Sequence, residues 1–191
     1  MKKIFLLAAF TIIATAFTFR GDDKIVTVSE FEKIADSAGL LFEMPVGYKE
    51  CVIKSNFDLP YQFAIKNEEA DFEVRYSVWP MTSLLENTNT KQDPNSMHKI
   101  LFITTVMNMT GGTGAKINPF PINALKETFN ADDGSVSFFE FNSEFGKGYK
   151  YGQMVCLHKN NTTNVIITFL SNDKQKHSEL VLKAFHTLKF K

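Results

Sequence analysis

An excess of charge of either sign is missing from this chain, in which 21 basic and 21 acidic side chains cancel. No basic stripe interrupts the balance, which argues against nucleic acid as a partner and against electrostatic capture by an anionic membrane. Cysteine is scarce, with two in 191 residues, so a disulfide-rich scaffold and a Cys-x-x-Cys motif are both excluded. Heptads, internal repeats and low-complexity tracts are absent. Beyond residue 19 the apolar runs are short. Ile100 to Val106 is the longest candidate, far below the roughly 20 residues of a membrane-spanning helix. What the chain has in quantity is phenylalanine, 19 in all, which predicts an aromatic-heavy core.

The first twenty residues carry the clearest signal. Met1-Lys2-Lys3 is positive, Ile4 to Phe19 holds no charged side chain, and Ala14-Thr15-Ala16 supplies small residues where a signal peptidase reads. That order of regions is a secretory signal peptide. Cleavage after Ala16 is expected, leaving residues 17–191 as a single domain large enough for a real core, secreted or periplasmic. An uncleaved anchor is the competing reading, but the run is short and exits into Arg20-Gly21-Asp22-Asp23. After cleavage no membrane span is expected. An oxidising compartment leaves two readings of Cys51 and Cys156 open: a disulfide, or two small buried hydrophobes.

Ser29 with Glu32 forms the pattern of a capping box, opening a helix through Phe31, Ile34, Ala35 and Ala38 that Gly39 ends. Leu40–Met44 and Tyr48–Lys54 read as extended pieces. Tyr61, Phe63 and Ile65, then Phe72, Val74, Tyr76 and Val78, alternate strictly with other residues around a polar turn at Asn67–Ala70. That period of two predicts an antiparallel hairpin with one buried face, stopped by Pro80. A polar loop follows from Glu86 to Asn95. Ser96 is placed to cap a helix to Met109 that is apolar around most of its circumference, so deep burial is expected. Pro119-Phe120-Pro121 introduces another helix. Strands at Ser135–Asn142, Tyr149–Lys159 and Asn164–Leu170 are linked by hairpin-length turns. A closing helix from Asp173 is expected to be buried through Leu180, Val181, Ala184, Phe185 and Leu188. The order predicts one α+β domain, a central antiparallel sheet with helices packed on it.

In element order the chain resembles the PsbP-like fold, an α/β/α sandwich. The residues that carry the resemblance are Leu41-Phe42-Glu43-Met44-Pro45-Val46-Gly47-Tyr48, the hairpin ending in Trp79-Pro80, and the closing Leu188-Lys189-Phe190. The resemblance implies a small, non-catalytic accessory or assembly protein.

Motifs for chemistry are few. Gly111-Gly112-Thr113-Gly114-Ala115-Lys116 superficially resembles a phosphate loop but lacks its Gly-x4-Gly-Lys-Ser/Thr spacing, and reads as a helix stop. His177 and His186 lie nine residues apart on one helix, about half a turn round from each other. With His98 and His158 they read as four unrelated surface or cap histidines, with no metal-binding spacing. Asp132-Asp133-Gly134 reads as a turn. No cofactor or metal is expected.

Aromatic residues offer the binding candidates. Trp79 shares strand parity with Arg75 and Ser77, and Tyr149 shares parity with Tyr151 around Lys150. Exposed rings beside a cation suit protein, peptide or carbohydrate contact, while helices over that face would make the same residues core. Two functions remain. One is a secreted, non-catalytic accessory or binding protein with a cell-envelope or extracellular protein, a carbohydrate or a peptide as partner. The other is an extracytoplasmic hydrolase with a dispersed active site, using His158 with acidic residues brought together by folding.

Overall fold

In chain order the elements are β1 (Lys24–Ile25), α1 (Val28–Ser37), β2 (Leu40–Phe42), β3 (Tyr48–Glu50), β4 (Val52–Ile53), β5 (Phe63–Asn67), β6 (Phe72–Pro80), α2 (Thr82–Glu86), α3 (Met97–Met109), β7 (Ile117–Pro119), α4 (Ile122–Phe129), β8 (Asp133–Glu140), β9 (Tyr151–Lys159), β10 (Thr163–Ser171), α5 (Lys174–Ala184) and β11 (Leu188–Phe190). The computed structural model describes residues 24–56, 59–86, 93–142 and 146–191. The expected signal peptide, Met1 to Ala16, lies outside the described residues. So does the stretch 87–92 of the expected polar loop.

Seven strands form one antiparallel sheet in the order β3-β5-β6-β10-β9-β8-β7, and the pairs β1-β4 and β2-β11 form two small sheets. The fold is mixed α+β with helices packed on a sheet, as the strand and helix periodicities predict. Among the described residues no helix is long and apolar enough to cross a membrane. The β5–β6 hairpin has the expected register, Phe63 opposite Tyr76 and Ile65 opposite Val74. Its alternation, however, does not separate core from solvent. Every residue from Phe72 to Val78 is buried, because β6 sits inside the sheet with material over both faces.

The first face packs Phe63, Phe72, Val74, Tyr76, Val155, Ile167 and Phe169 against residues of α1, α4 and α5. Phe31 stacks on Phe63 at 4.4 Å and 11° and meets the edge of Phe42 at 5.0 Å. Each such pair adds about 0.5–1.5 kcal/mol beyond simple burial. Tyr76 donates its hydroxyl proton to Thr187 Oγ1 at 2.8 Å, since Thr187 gives its own to Ala184 O. Phe63, Phe72, Val74 and Tyr76 are fully buried; Phe185 is half-buried against the same cluster. The second face packs Met154, Cys156, Ile166 and Phe139 beneath Phe102, Val106 and Met109 of α3, with Leu59 beside them.

Several boundaries differ from the sequence reading for local reasons. Thr27, not Ser29, caps α1: its hydroxyl accepts from the Glu30 amide while Glu30 Oε2 accepts from the Thr27 amide. The box is the expected device placed two residues earlier, leaving Ser29 in the first turn. Gly39 follows α1 at φ +74, the left-handed stop that glycine permits. Ser96 precedes α3 without capping it, because its hydroxyl donates back to Asp93 O. Asp173 caps α5, accepting from the Gln175 and Lys176 amides. Leu188, expected in that helix, lies instead in β11, paired with Phe42 of β2.

α3 departs most from expectation. His98, Phe102, Thr105, Val106 and Met109 are buried, but Ile100, Leu101, Ile103 and Met107 are between 39% and 63% exposed. The helix is apolar on both sides yet only one side meets the sheet. As for the cysteines, both are free thiols. Cys51 donates its amide to Ala64 of β5 and Cys156 lies in β9, so four strand spacings of about 4.8 Å separate them, far beyond disulfide reach.

Candidate functional site

The polar chemistry of the molecule collects on the second face of the sheet, for a reason visible in the parity. Along β6 the positions between the core aromatics are Glu73, Arg75, Ser77 and Trp79. The facing positions of β10 are Thr168, opposite Arg75, and Asn164, opposite Trp79. In β9 His158 stands opposite Asn164, and in β8 Asp133 stands opposite His158. Two polar centres result, one toward each end of this face.

At the first centre Arg75 Nε donates to Glu73 Oε1 at 2.6 Å, and the guanidinium lies 5.0 Å above the Tyr61 ring. Both members of the ion pair are buried. Burial alone would lower the Arg75 pKa, but the Glu73 carboxylate outweighs it and holds the pKa above its ordinary value. Burial, and then the nearby Glu73 and Asp71 carboxylates, push the Tyr149 phenol well up. Burial, with Glu73 adding to it, pushes the Cys51 thiol up to about 12, which leaves it un-ionised and unreactive. Arg75 Nη2, Ser77 Oγ and Thr168 Oγ1 are buried without a hydrogen-bond partner.

At the second centre the His98 and His158 rings stack face to face, centroids 4.0 Å apart and planes within 5°. His98 Nδ1 donates to Asn95 O at 2.7 Å; its Nε2 is 3.3 Å from Asp133 Oδ2 but off the hydrogen-bonding line. The ring nitrogens of His158 meet Asn164 Oδ1 at 2.6 Å and Asn160 Oδ1 at 3.1 Å. Lys99 Nζ closes the cluster on Asp133 Oδ2 at 2.8 Å. Burial would raise the Asp133 pKa, but Lys99 and the Gly134 amide hold it below the usual range.

Of the four sequence-derived binding candidates, Arg75 and Tyr149 come together at Glu73. Trp79 lies on the same face, half-buried against the second core, at the histidine end. Tyr151 belongs to the opposite face, stacked on Phe138 at 6.5 Å, with Lys150 and Lys174 over its ring. The four therefore do not form one site. The reading of unrelated surface histidines is corrected: His98, His158 and His177 are buried, and two of them touch. The strand parity of His158 with Cys156 hinted at this, but the strand register that brings Asp133 alongside is invisible in sequence.

The third buried histidine sits on the first face. His177 Nδ1 bonds Ser171 Oγ at 2.8 Å, while Ser171 turns its own proton to Asp173 O. That leaves Nε2 bare, with Phe72 and Phe138 as neighbouring rings. An added proton there would find no acceptor, and burial pushes the pKa down to about 4.

The remaining candidate surface is the outer side of α3. Ile100, Ile103 and Met107 recur at helical spacing, with Leu101 beside them, and all four are exposed. The only charged side chain of the helix, Lys99, is turned to Asp133. Among the described residues no group of three or more His, Cys, Asp or Glu is placed to hold a metal ion. Compared with known proteins, the chain matches no protein-family model and no curated protein.

Proposed function

We propose that the chain is an exported, secreted or periplasmic, non-catalytic accessory or binding protein that meets a protein partner through the outer side of α3. The observation that carries this reading is the stripe of Ile100, Leu101, Ile103 and Met107 on a helix whose one charge is already spent on Asp133. An apolar stripe kept in water is costly unless something covers it at work, and grouped exposed apolar side chains mark contact surfaces. The resemblance to PsbP-like accessory proteins, carried by element order, agrees with it. The hydrolase alternative draws less support. The nitrogens of His158 face asparagine amides rather than a nucleophile, and Ser171 with His177 is buried in the core.

The experiment places a photoreactive side chain at Ile103, and for comparison at exposed Lys126 on α4, in the exported protein within intact cells. A discrete adduct from position 103 and none from 126 is expected. Adducts of equal yield from both positions, or none from 103, contradict the reading.

A further inference from the structure

The first turn of α3 is fastened differently from the rest of the helix. Phe102, Val106 and Met109 anchor the later turns in the second core, whereas Ile100 and Leu101 point outward. Before Phe102, contact with the sheet comes through polar groups: the His98 ring on His158, Lys99 on Asp133, and Asn95, which exchanges hydrogen bonds with Asn161. We infer that the His98–His158 stack is a proton-sensitive latch: a charge on both rings releases the N-terminal turn of α3 from the sheet.

The geometry sets the logic. With Nδ1 committed to Asn95 O, His98 can take a proton only at Nε2, which is buried. An imidazolium there would lie 4.0 Å, ring over ring, from His158. Two like charges at that separation inside a protein repel strongly, because little water screens them. Among the described residues, charged or titratable groups lie near the pair on several elements, beginning with Asp93 ahead of α3, whose carboxylate accepts the Asn95 amide. From α3 comes Lys99, from β8 Asp133, and from β9 Cys156, two residues from His158 on the same face. From the turn before β8 comes Asp132, which accepts the Asn160 amide. Among the described residues Asp133 is the one anion within ion-pair distance of His98, and it is already neutralised by Lys99 and bonded to the Gly134 amide. One added positive charge is therefore tolerated and a second is not. Burial, then the facing His158 ring, hold the His98 pKa below its ordinary value, as this arrangement requires.

Release would add Phe102 to the apolar stripe and so modulate the surface proposed above. The latch itself is tested on the mature protein without a partner. Amide hydrogen exchange, corrected for intrinsic rates, is followed in α3, α5 and β10 between pH 7.5 and 5.0, in the parent and in His158→Gln. Coupling of opening to one proton predicts that protection at residues 97–102 falls by up to about tenfold per pH unit, while β10 keeps its protection. In His158→Gln that dependence should vanish. If this variant does not fold, His98→Asn removes the other ring and carries the same expectation. Protection of the first turn that is independent of pH overturns the inference. So does a loss shared equally with β10, or one that persists after either ring is removed.

Discussion

The two faces of the seven-stranded sheet solve the same problem of burial with opposite chemistry. The first is aromatic and lies under three helices, with Phe31, Phe63, Phe72, Tyr76 and Phe169 fully enclosed. The second buries two stacked histidines under α3, an arginine–glutamate pair beside Tyr61 and Tyr149, and several hydroxyls. Stability therefore comes chiefly from the first face, where burial is non-directional and additive. The second face carries groups whose burial is expensive unless every partner is present, and it bears the helix with the exposed apolar stripe. A chain optimised for stability alone would fill that face with aliphatic side chains.

The comparison breaks first if a loss on either face can be restored in the same way. Phe63→Ala and Phe72→Ala should each destabilise the fold by about 3–5 kcal/mol through lost burial and cavity formation, read in denaturant melts. Glu73→Gln should cost about 3–5 kcal/mol by a different route, since it strands the Arg75 charge in the interior. The distinction lies in the double variant. Glu73→Leu with Arg75→Met should recover most of that loss, whereas no second change on the Phe63 side restores an aromatic cavity. If the double variant is no better than Glu73→Gln alone, the ion pair contributes more than compensation of its own burial.

A smaller effect concerns pH. His177 titrates near pH 4 in the fold against about 6.5 in an unfolded chain. Above pH 6.5 the residue is neutral in both states and contributes no pH dependence. As pH falls the unfolded chain takes up the proton first, so about 3 kcal/mol of stability is lost between pH 6.5 and 4, and no more below. His177→Leu should flatten that part of the stability profile. An unchanged acid limb in His177→Leu would place the titrating group elsewhere.

How much of this was legible in the sequence follows from what each signal measures. Period-two alternation located β5 and β6 because side-chain direction is fixed by the strand itself, while hairpin-length turns delimited β8, β9 and β10. It could not say what covers the polar parity, so Arg75 and Ser77 read as candidates for exposure although both are buried. β7 and β11 were missed because three-residue edge pieces have too little pattern, and Leu188 fits a helix as well as a strand. The length and composition of α3 were readable but its orientation was not. A helix apolar on both sides gives no moment to choose a face by, so full burial was expected where half was found. The histidine stack depends on the β8–β9 register and on where α3 docks, neither of which is a local property.

The least disruptive changes probe the central claim most directly. Ile100→Ser with Ile103→Ser on the outer side of α3 removes side chains that are 63% and 47% exposed. Surface changes of this kind usually alter stability by less than about 0.5 kcal/mol each. The decisive measurement pairs the melting midpoint of that double variant with its capture of the partner crosslinked from position 103 of the parent. The account predicts an essentially unchanged midpoint and lost capture. Full capture at an unchanged midpoint would contradict it, and the outer side of α3 would then be no docking surface.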